Sequence, residues 1–223
     1  MTSCTDVDAV VDLCRKEGVD GIFTGYIDSL LPYAEKICKK LGFPFWGNAD
    51  NIAVSIDKKK FKNACEKSGL PVVPWKLVNL SNYKSELQDV ELPVVLKPVD
   101  NSGGRGVYKC YNQKDLIPFC EQSFTFSKSK EVIVERLMNA HNEISAYYLM
   151  NHGDIYLTGM ADKYVVEVDK NLVPVSSSLV MPSIRLEQWI KEMDPIVRKF
   201  FKDNQMDNGY IFLQGFYENC QFY

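Results

Sequence analysis

The chain has 223 residues, 46% of them hydrophobic and 25% charged, the make-up of a folded globular protein rather than a disordered one. Its 26 Lys plus Arg against 29 Asp plus Glu give a formal charge of -3, without the cationic excess that neutralising many nucleic-acid phosphates requires, so no nucleic-acid partner is expected. No uncharged apolar run approaches the ~20 residues of a membrane span, and the opening stretch MTSCTDVDAVVDLCRKEGVD is too acidic for a signal peptide, so no membrane partner and a cytoplasmic location are expected.

In chain order, residues 6–17 place Val7, Val10, Val11, Leu13 and Cys14 on one helical stripe that Gly18 stops. Asp20–Thr24 predicts a short strand. Residues 28–41 predict a second amphipathic helix, with Asp28 or Ser29 as cap, Pro32 in the first turn and Gly42 at the end, and Phe43–Trp46 predicts another strand. This alternation points to parallel α/β packing, although it begins in a helix rather than in a strand with a glycine-bearing turn. A third helix is expected over residues 57–68, capped by Ser55 or Asp57 and stopped by Gly69, followed by an extended connector at Leu70–Trp75 and a short helix within 82–89.

From Leu92 the period changes, and LPVVLKPV, GVYKCY and EVIVERLM read as strands. The turn-forming stretch Asp100–Gly106 joins the first two, and a helical segment near Lys114–Cys120 precedes the third. Residues 144–150 and 155–160 read as a hairpin, 186–201 as one amphipathic helix, and 209–221 as two strands with Glu218 in the turn between them. The expected division is 1–56, 57–131 and 132–223.

Seven scattered cysteines form no CxxC pair, and the chain holds two histidines, His141 and His152, which leaves zinc sites and Ser/His or Cys/His hydrolases little to draw on. His141-Asn-Glu143 matches the HxE of zinc deaminases, but the PCxxC half of that signature is missing.

The most informative segment is Pro93-Val-Val-Leu-Lys97-Pro98, followed by Ser102-Gly103-Gly104-Arg105-Gly106. Glycines between two strands let several backbone N–H groups approach an anion, and a lysine at the end of the first strand adds charge. A unit charge pair at ~4 Å in an effective dielectric of ~20 is worth about 4 kcal/mol before desolvation, enough for one lysine to matter to a triphosphate. The plainer alternative is a hairpin tip, and the loop is neither a Walker A nor a GxGxxG motif. Further on, Val132-Ile-Val-Glu135-Arg136-Leu137-Met138 is a strand leaving toward a second lobe, where main-chain groups can meet an adenine edge, and Glu143 lies where an acid can accept ribose hydroxyls; as isolated residues Glu135 and Glu143 read equally as surface acids. Lys58-Lys59-Lys60 opens a helix, a position unfavourable to cations, so these lysines either form a solvated face or meet an anion. Asp162-Lys163 reads as a cleft pair or a surface ion pair.

Taken in order, these segments resemble the ATP-grasp superfamily, specifically its carboxylate–amine ligases related to biotin carboxylase and the carbamoyl-phosphate synthase large chain. Asp20-Gly-Ile and Leu41-Gly-Phe-Pro-Phe-Trp-Gly47 look like the back half of the small α/β domain before the ATP-grasp, and Asp57-Lys58 with Gly69-Leu-Pro-Val-Val-Pro74 looks like the family's entry helix. The resemblance implies an α/β (α+β) fold in which two α+β lobes grip a nucleotide, preceded by a partial parallel α/β domain. It further implies ATP and Mg²⁺ (or Mn²⁺) as cofactors, Lys58 and Lys97 on the phosphates, Ser102, Gly103, Gly104 and Gly106 in the lid, and Arg105 as a further phosphate contact acting with Lys97. Glu135, Arg136, Leu137 and Met138 would form the adenine hinge, Glu143 the ribose contact and Gln214 the first metal ligand.

The reaction implied is attack of a small-molecule carboxylate on the γ-phosphate, giving an acyl phosphate that an amine displaces, with catalysis resting on lysine, loop amides and magnesium rather than on a general base. One departure stands out: the second metal ligand the resemblance implies, a Glu on the next strand in an ExNxR-like motif, does not follow Gln214 before Tyr223, and Glu218 reads as a turn residue. A single neutral amide oxygen is a poor anchor for two divalent ions, so an inactive fragment that still binds nucleotide is expected. A nucleotide-binding or regulatory module without catalysis is the alternative, and a plain α/β scaffold the third. An unfinished sheet at the C-terminal strands would invite homo-oligomer formation.

Overall fold

The computed structural model describes residues 2–24 and 27–223. Helix α1 (Val7–Glu17) starts on Asp6, whose carboxylate accepts from the Ala9 amide, and closes at Gly18. Helix α2 (Leu31–Leu41) follows a 3₁₀ turn at Asp28–Leu30 and is set by Pro32 in its first turn; the expected Asp28 or Ser29 cap is not used. The strands expected at Asp20–Thr24 and Phe43–Trp46 do not form, because neither segment has a strand beside it among the described residues and a strand exists only through the ladder it shares. Between them and the third expected helix lies one more, α3 (Ala49–Ile56), opened by a reciprocal capping box between Asn48 and Asn51. Helix α4 (Lys58–Ser68) is capped by Asp57, which accepts from the Lys60 amide at 2.9 Å.

Two antiparallel sheets follow. The first contains β1 (Trp75–Asn79), β2 (Val94–Pro98), β3 (Tyr108–Cys110) and β4 (Glu131–Arg136), in the order β1-β4-β2-β3. β4 is thus an interior strand of this sheet, although the sequence places it at the start of the second lobe. β1 begins at Trp75, where the expected connector Leu70–Trp75 ends, in a stretch that gives no strand reading. A short helix, α5 (Tyr83–Glu86), and α6 (Gln113–Thr125) cover one face, where Val94, Leu96, Val132 and Val134 meet Leu116 and Phe124. Strand alternation then puts Val95, Lys97, Lys109 and Glu135 on the opposite face.

The second sheet contains β5 (Glu143–Asn151), β6 (Asp154–Val166), β7 (Val175–Val180), β8 (Gly209–Glu218) and β9 (Gln221–Phe222), in the order β7-β6-β5-β8-β9. The expected single helix at 186–201 is two, α7 (Leu186–Glu192) and α8 (Asp194–Asp203). Pro195 sits in the first turn of α8 and has no amide to continue the α7 ladder. These helices and α4 cover one face of the sheet, bringing Phe200 and Phe201 of α8 into one core with Ile144, Tyr148 and Met160, and the Trp189 indole donates to the Tyr148 hydroxyl at 2.8 Å. Residues on the other face alternate with that core and include Glu143, Lys163 and Gln214. Among the described residues no helix is long and apolar enough to cross a membrane.

Candidate functional site

Lys97 and Glu135 project from neighbouring strands on the face of the first sheet turned away from α6, and they form an ion pair. Glu135 is 4% exposed, so its charge needs partners. A second ammonium supplies one: Lys62 of α4, 12% exposed, lies 2.8 Å from Glu135 Oε2, donates to the Val73 carbonyl at 3.2 Å and sits 5.9 Å above the Trp75 ring. Burial on its own pushes the Glu135 carboxyl up, but the Lys97 and Lys62 charges outweigh it and hold the group below the usual value. Lys62 gives no sequence signal, since its partner lies on a strand far along the chain.

Lys58 stands at the same cleft. Its amide donates to Val99 O at 3.1 Å and its ammonium donates to the Asn101 carbonyl at the mouth of the glycine loop. Its pKa is lowered, first by burial and then by the charge of Lys97. Of the other lysines in that helical turn, Lys59 bonds Glu131 at 2.9 Å and belongs to the scaffold. Two cations, Lys58 and Lys97, therefore face one space beside the loop.

The loop itself is anchored at both ends. Asp100 accepts from the Ser127 hydroxyl and the Ser129 amide, each at 2.8 Å, and the Ser123 hydroxyl donates to Gly106 O at 2.7 Å. Gly106 has φ of +75°, and a Cβ there would lie 2.6 Å from Phe126 Cβ, so the position demands glycine. Between these anchors Gly103, Gly104 and Arg105 are exposed; the Arg105 guanidinium donates to the Ser102 carbonyl, at 3.3 Å. The β6–β7 connection lies over this edge of the first sheet. Asn171 O accepts from the Lys109 amide at 2.8 Å, and the buried Lys109 ammonium bonds Glu167 at 2.7 Å. Sequence reasoning missed both residues of that pair.

At the hinge, the Arg136 amide donates to Pro74 O at 3.3 Å, Leu137 to Pro93 O at 3.0 Å, and Asn139 to Glu218 Oε1 at 3.0 Å. The amide of Met138, a buried residue, has no acceptor among the described residues. Glu218, expected as a turn residue, is instead the last residue of β8; its other oxygen lies 2.6 Å from Arg136 Nη1.

On the second sheet Glu143 bonds Lys163 at 2.5 Å, and Gln214 Nε2 lies 3.5 Å from the same carboxylate oxygen. Lys163 therefore answers to Glu143, while Asp162 turns to the other face and holds the Ser183 hydroxyl at 2.7 Å. His141 is exposed in a 3₁₀ turn, and among the described residues no group of three His, Cys, Asp or Glu side chains is arranged to hold a metal ion. The donor set here is one carboxylate and one amide. That suits a magnesium ion whose other ligands come from phosphate and water, and it is too small for an ion held by protein alone. The first sheet's side thus carries two cations beside the glycine loop, the hinge carries an open amide, and the second sheet carries two oxygen donors.

The family described as carbamoyl-phosphate synthase L chain, ATP binding domain, matches residues 57–180, more than half of the chain. The chain is 24% identical, over 82% of its length, to the 2-oxoglutarate carboxylase small subunit of Hydrogenobacter thermophilus, and 28% identical, over 58%, to the carbamoyl phosphate synthase large chain of Pyrococcus furiosus. It spans 41% and 13% of those relatives, respectively. The biotin carboxylase domain of the Hydrogenobacter enzyme, solved with MgADP and bicarbonate, superimposes with a TM-score of 0.78 at 19% identity, covering 98% of this chain and 50% of that one. The chain therefore belongs to the carbamoyl-phosphate synthase L chain ATP-binding family and carries the ATP-grasp fold.

Proposed function

We propose that the chain binds ATP with Mg²⁺ between its two sheets and forms the nucleotide-gripping part of an ATP-dependent carboxylate–amine ligase. The observation that carries this reading is the closeness of two cations, Lys58 on the Asn101 carbonyl and Lys97 at the end of β2, beside an otherwise anchored loop with exposed glycines. The exposed positive-φ glycines Gly103 and Gly104 offer amides that meet no acceptor among the described residues, and two neighbouring cations favour an anion of high charge. In this reading Ser102, Gly103, Gly104 and Gly106 line the phosphate channel, Arg105 swings in from solvent, and the Met138 amide meets the adenine edge. Glu143 takes a ribose hydroxyl or, with Gln214, a magnesium ion. Such an ion, when bound, neutralises charge on the triphosphate.

The residues of the chain then act by holding and orienting. Lys97 leaves Glu135 for the γ-phosphate, and Lys62 stays behind as the counter-charge, so the buried carboxylate is never left unpaired. The first lobe in this proposal is the four-stranded sheet with its loop, beginning near residue 57, and the boundary expected near residue 131 falls at β4, just before the hinge. A small carboxylate and an amine are the proposed substrates and the cytoplasm the proposed location, where seven unpaired cysteines stay reduced.

The small metal donor set favours a second reading, nucleotide binding without turnover. One assay separates the two: incubation with MgATP, a panel of small carboxylates and hydroxylamine, which traps an acyl phosphate as a hydroxamate. ADP and hydroxamate appearing together support the ligase. ATP binding without either product supports the second reading, and no ATP binding at all contradicts both.

We also propose self-association through β8. Phe216 exchanges both main-chain bonds with Tyr223, at 2.9 Å each, so by alternation Phe212 and Gln214 turn their N–H and C=O groups to the same side, away from β5. Sedimentation equilibrium showing a monomer at all concentrations would contradict this.

A further inference from the structure

We infer that Glu218 is a positioning residue that aims the hinge amide at a nucleobase; the inference rests on the nucleotide reading above. One carboxylate bites both ends of a four-residue run. Its Oε2 takes Arg136 Nη1 at 2.6 Å and its Oε1 takes the Asn139 amide at 3.0 Å, and the side chain is 17% exposed. The Arg136 guanidinium is further confined by the Tyr223 ring, 5.3 Å away.

This run is the covalent link between the two sheets. From the first sheet's side, Pro74 O and Pro93 O fix the amides of Arg136 and Leu137; from the second, Glu218 fixes that of Asn139. Peptide units are planar, so fixing the units on either side of Met138 leaves its amide few directions. The one N–H of the run with no acceptor among the described residues is thereby held in one orientation without being consumed. A carboxylate is required for this grip, because both contacts need an acceptor; glutamine supplies one acceptor oxygen and would turn an NH₂ toward the guanidinium. Glu218 also belongs to the β8–β9 hairpin, where it pairs with Gln221, so the aim of the hinge depends on the second sheet as well as the first.

The test compares two ligands by calorimetry, ATP and inorganic tripolyphosphate, each with Mg²⁺. Tripolyphosphate uses the lysines and the glycine loop but not the hinge. Glu218→Gln is expected to weaken ATP by about tenfold while tripolyphosphate stays within about twofold of wild type. Equal weakening of both ligands, or wild-type affinity for both, overturns the inference. If that variant does not fold, Arg136→Lys keeps the charge but loses the fork; loss of affinity confined to ATP supports the inference and any other pattern overturns it. Lys97→Ala should weaken both ligands. Wild-type protein that binds neither, or Lys97→Ala that binds both unchanged, removes the nucleotide reading itself, whereas failure of the Glu218 variants alone leaves that reading standing.

Discussion

Replacing Glu135 by Gln keeps the shape of the side chain and removes the one charge that Lys62 and Lys97 share. Breaking a buried pair from one side costs about 3–5 kcal/mol. Glu135 and Lys62 are nearly enclosed, at 4% and 12% exposure, but Lys97 is 27% exposed and recovers some hydration, so about 3 kcal/mol is expected. At about 2–4 °C per kcal/mol for a protein of this size, the melting temperature should fall by about 6–12 °C. Differential scanning calorimetry at neutral pH reads this directly. The sign with pH follows from the direction of the shift: Glu135 is held below its ordinary value of 4.5, so its contribution is full above that value and fades as pH falls through the depressed one. The gap between wild type and Glu135→Gln should therefore close in acid. A shift below about 2 °C at neutral pH, or a gap that widens in acid, would refute the shared-charge argument.

Other expectations follow from single sites. Gly106→Ala combines a positive φ with a 2.6 Å contact to Phe126 Cβ and should cost about 2–4 kcal/mol, read as a lower urea midpoint at unchanged slope. Lys62→Met should destabilise less than Glu135→Gln, because Lys97 still pairs the carboxylate, but saturating MgATP should stabilise this variant less than wild type once Lys97 is drawn away. Thiol titration under native conditions should find the exposed Cys4 and Cys220 reactive and the five buried cysteines protected until denaturant is added; burial pushes the Cys65 and Cys120 thiols up to about 12. A buried cysteine that reacts at the rate of Cys4 would contradict the packing of its helix or strand.

What was legible in the sequence is what local chemistry determines. Gly18, Gly42 and Gly69 each end a helix, and Asp57 caps α4, because caps are settled within four residues. The strand LPVVLKPV and the anchored glycine turn read correctly for the same reason. Phe43–Trp46 has strand-like residues but no ladder, and a ladder is a property of the neighbour. β7, VSSSLV, was missed because every residue in it is exposed and no apolar alternation marks it. Asn48 and Asn51 carry a local capping signal for α3, since their side chains cap each other's amides within four residues. Lys62 and Glu218 were hidden for a simpler reason: Glu218 meets an arginine 82 positions earlier, and no spacing rule reaches that far.

The central claim is that ATP occupies the cleft between the sheets with its phosphates on the glycine loop. A crystal structure with a non-hydrolysable ATP analogue and Mg²⁺ tests it most directly. The account predicts the triphosphate against Gly103–Gly106 with Lys97 moved from Glu135 to the γ-phosphate, Lys62 still on Glu135, and adenine accepting from the Met138 amide. A nucleotide bound elsewhere, or one in this cleft that leaves the Lys97–Glu135 pair intact, would contradict it.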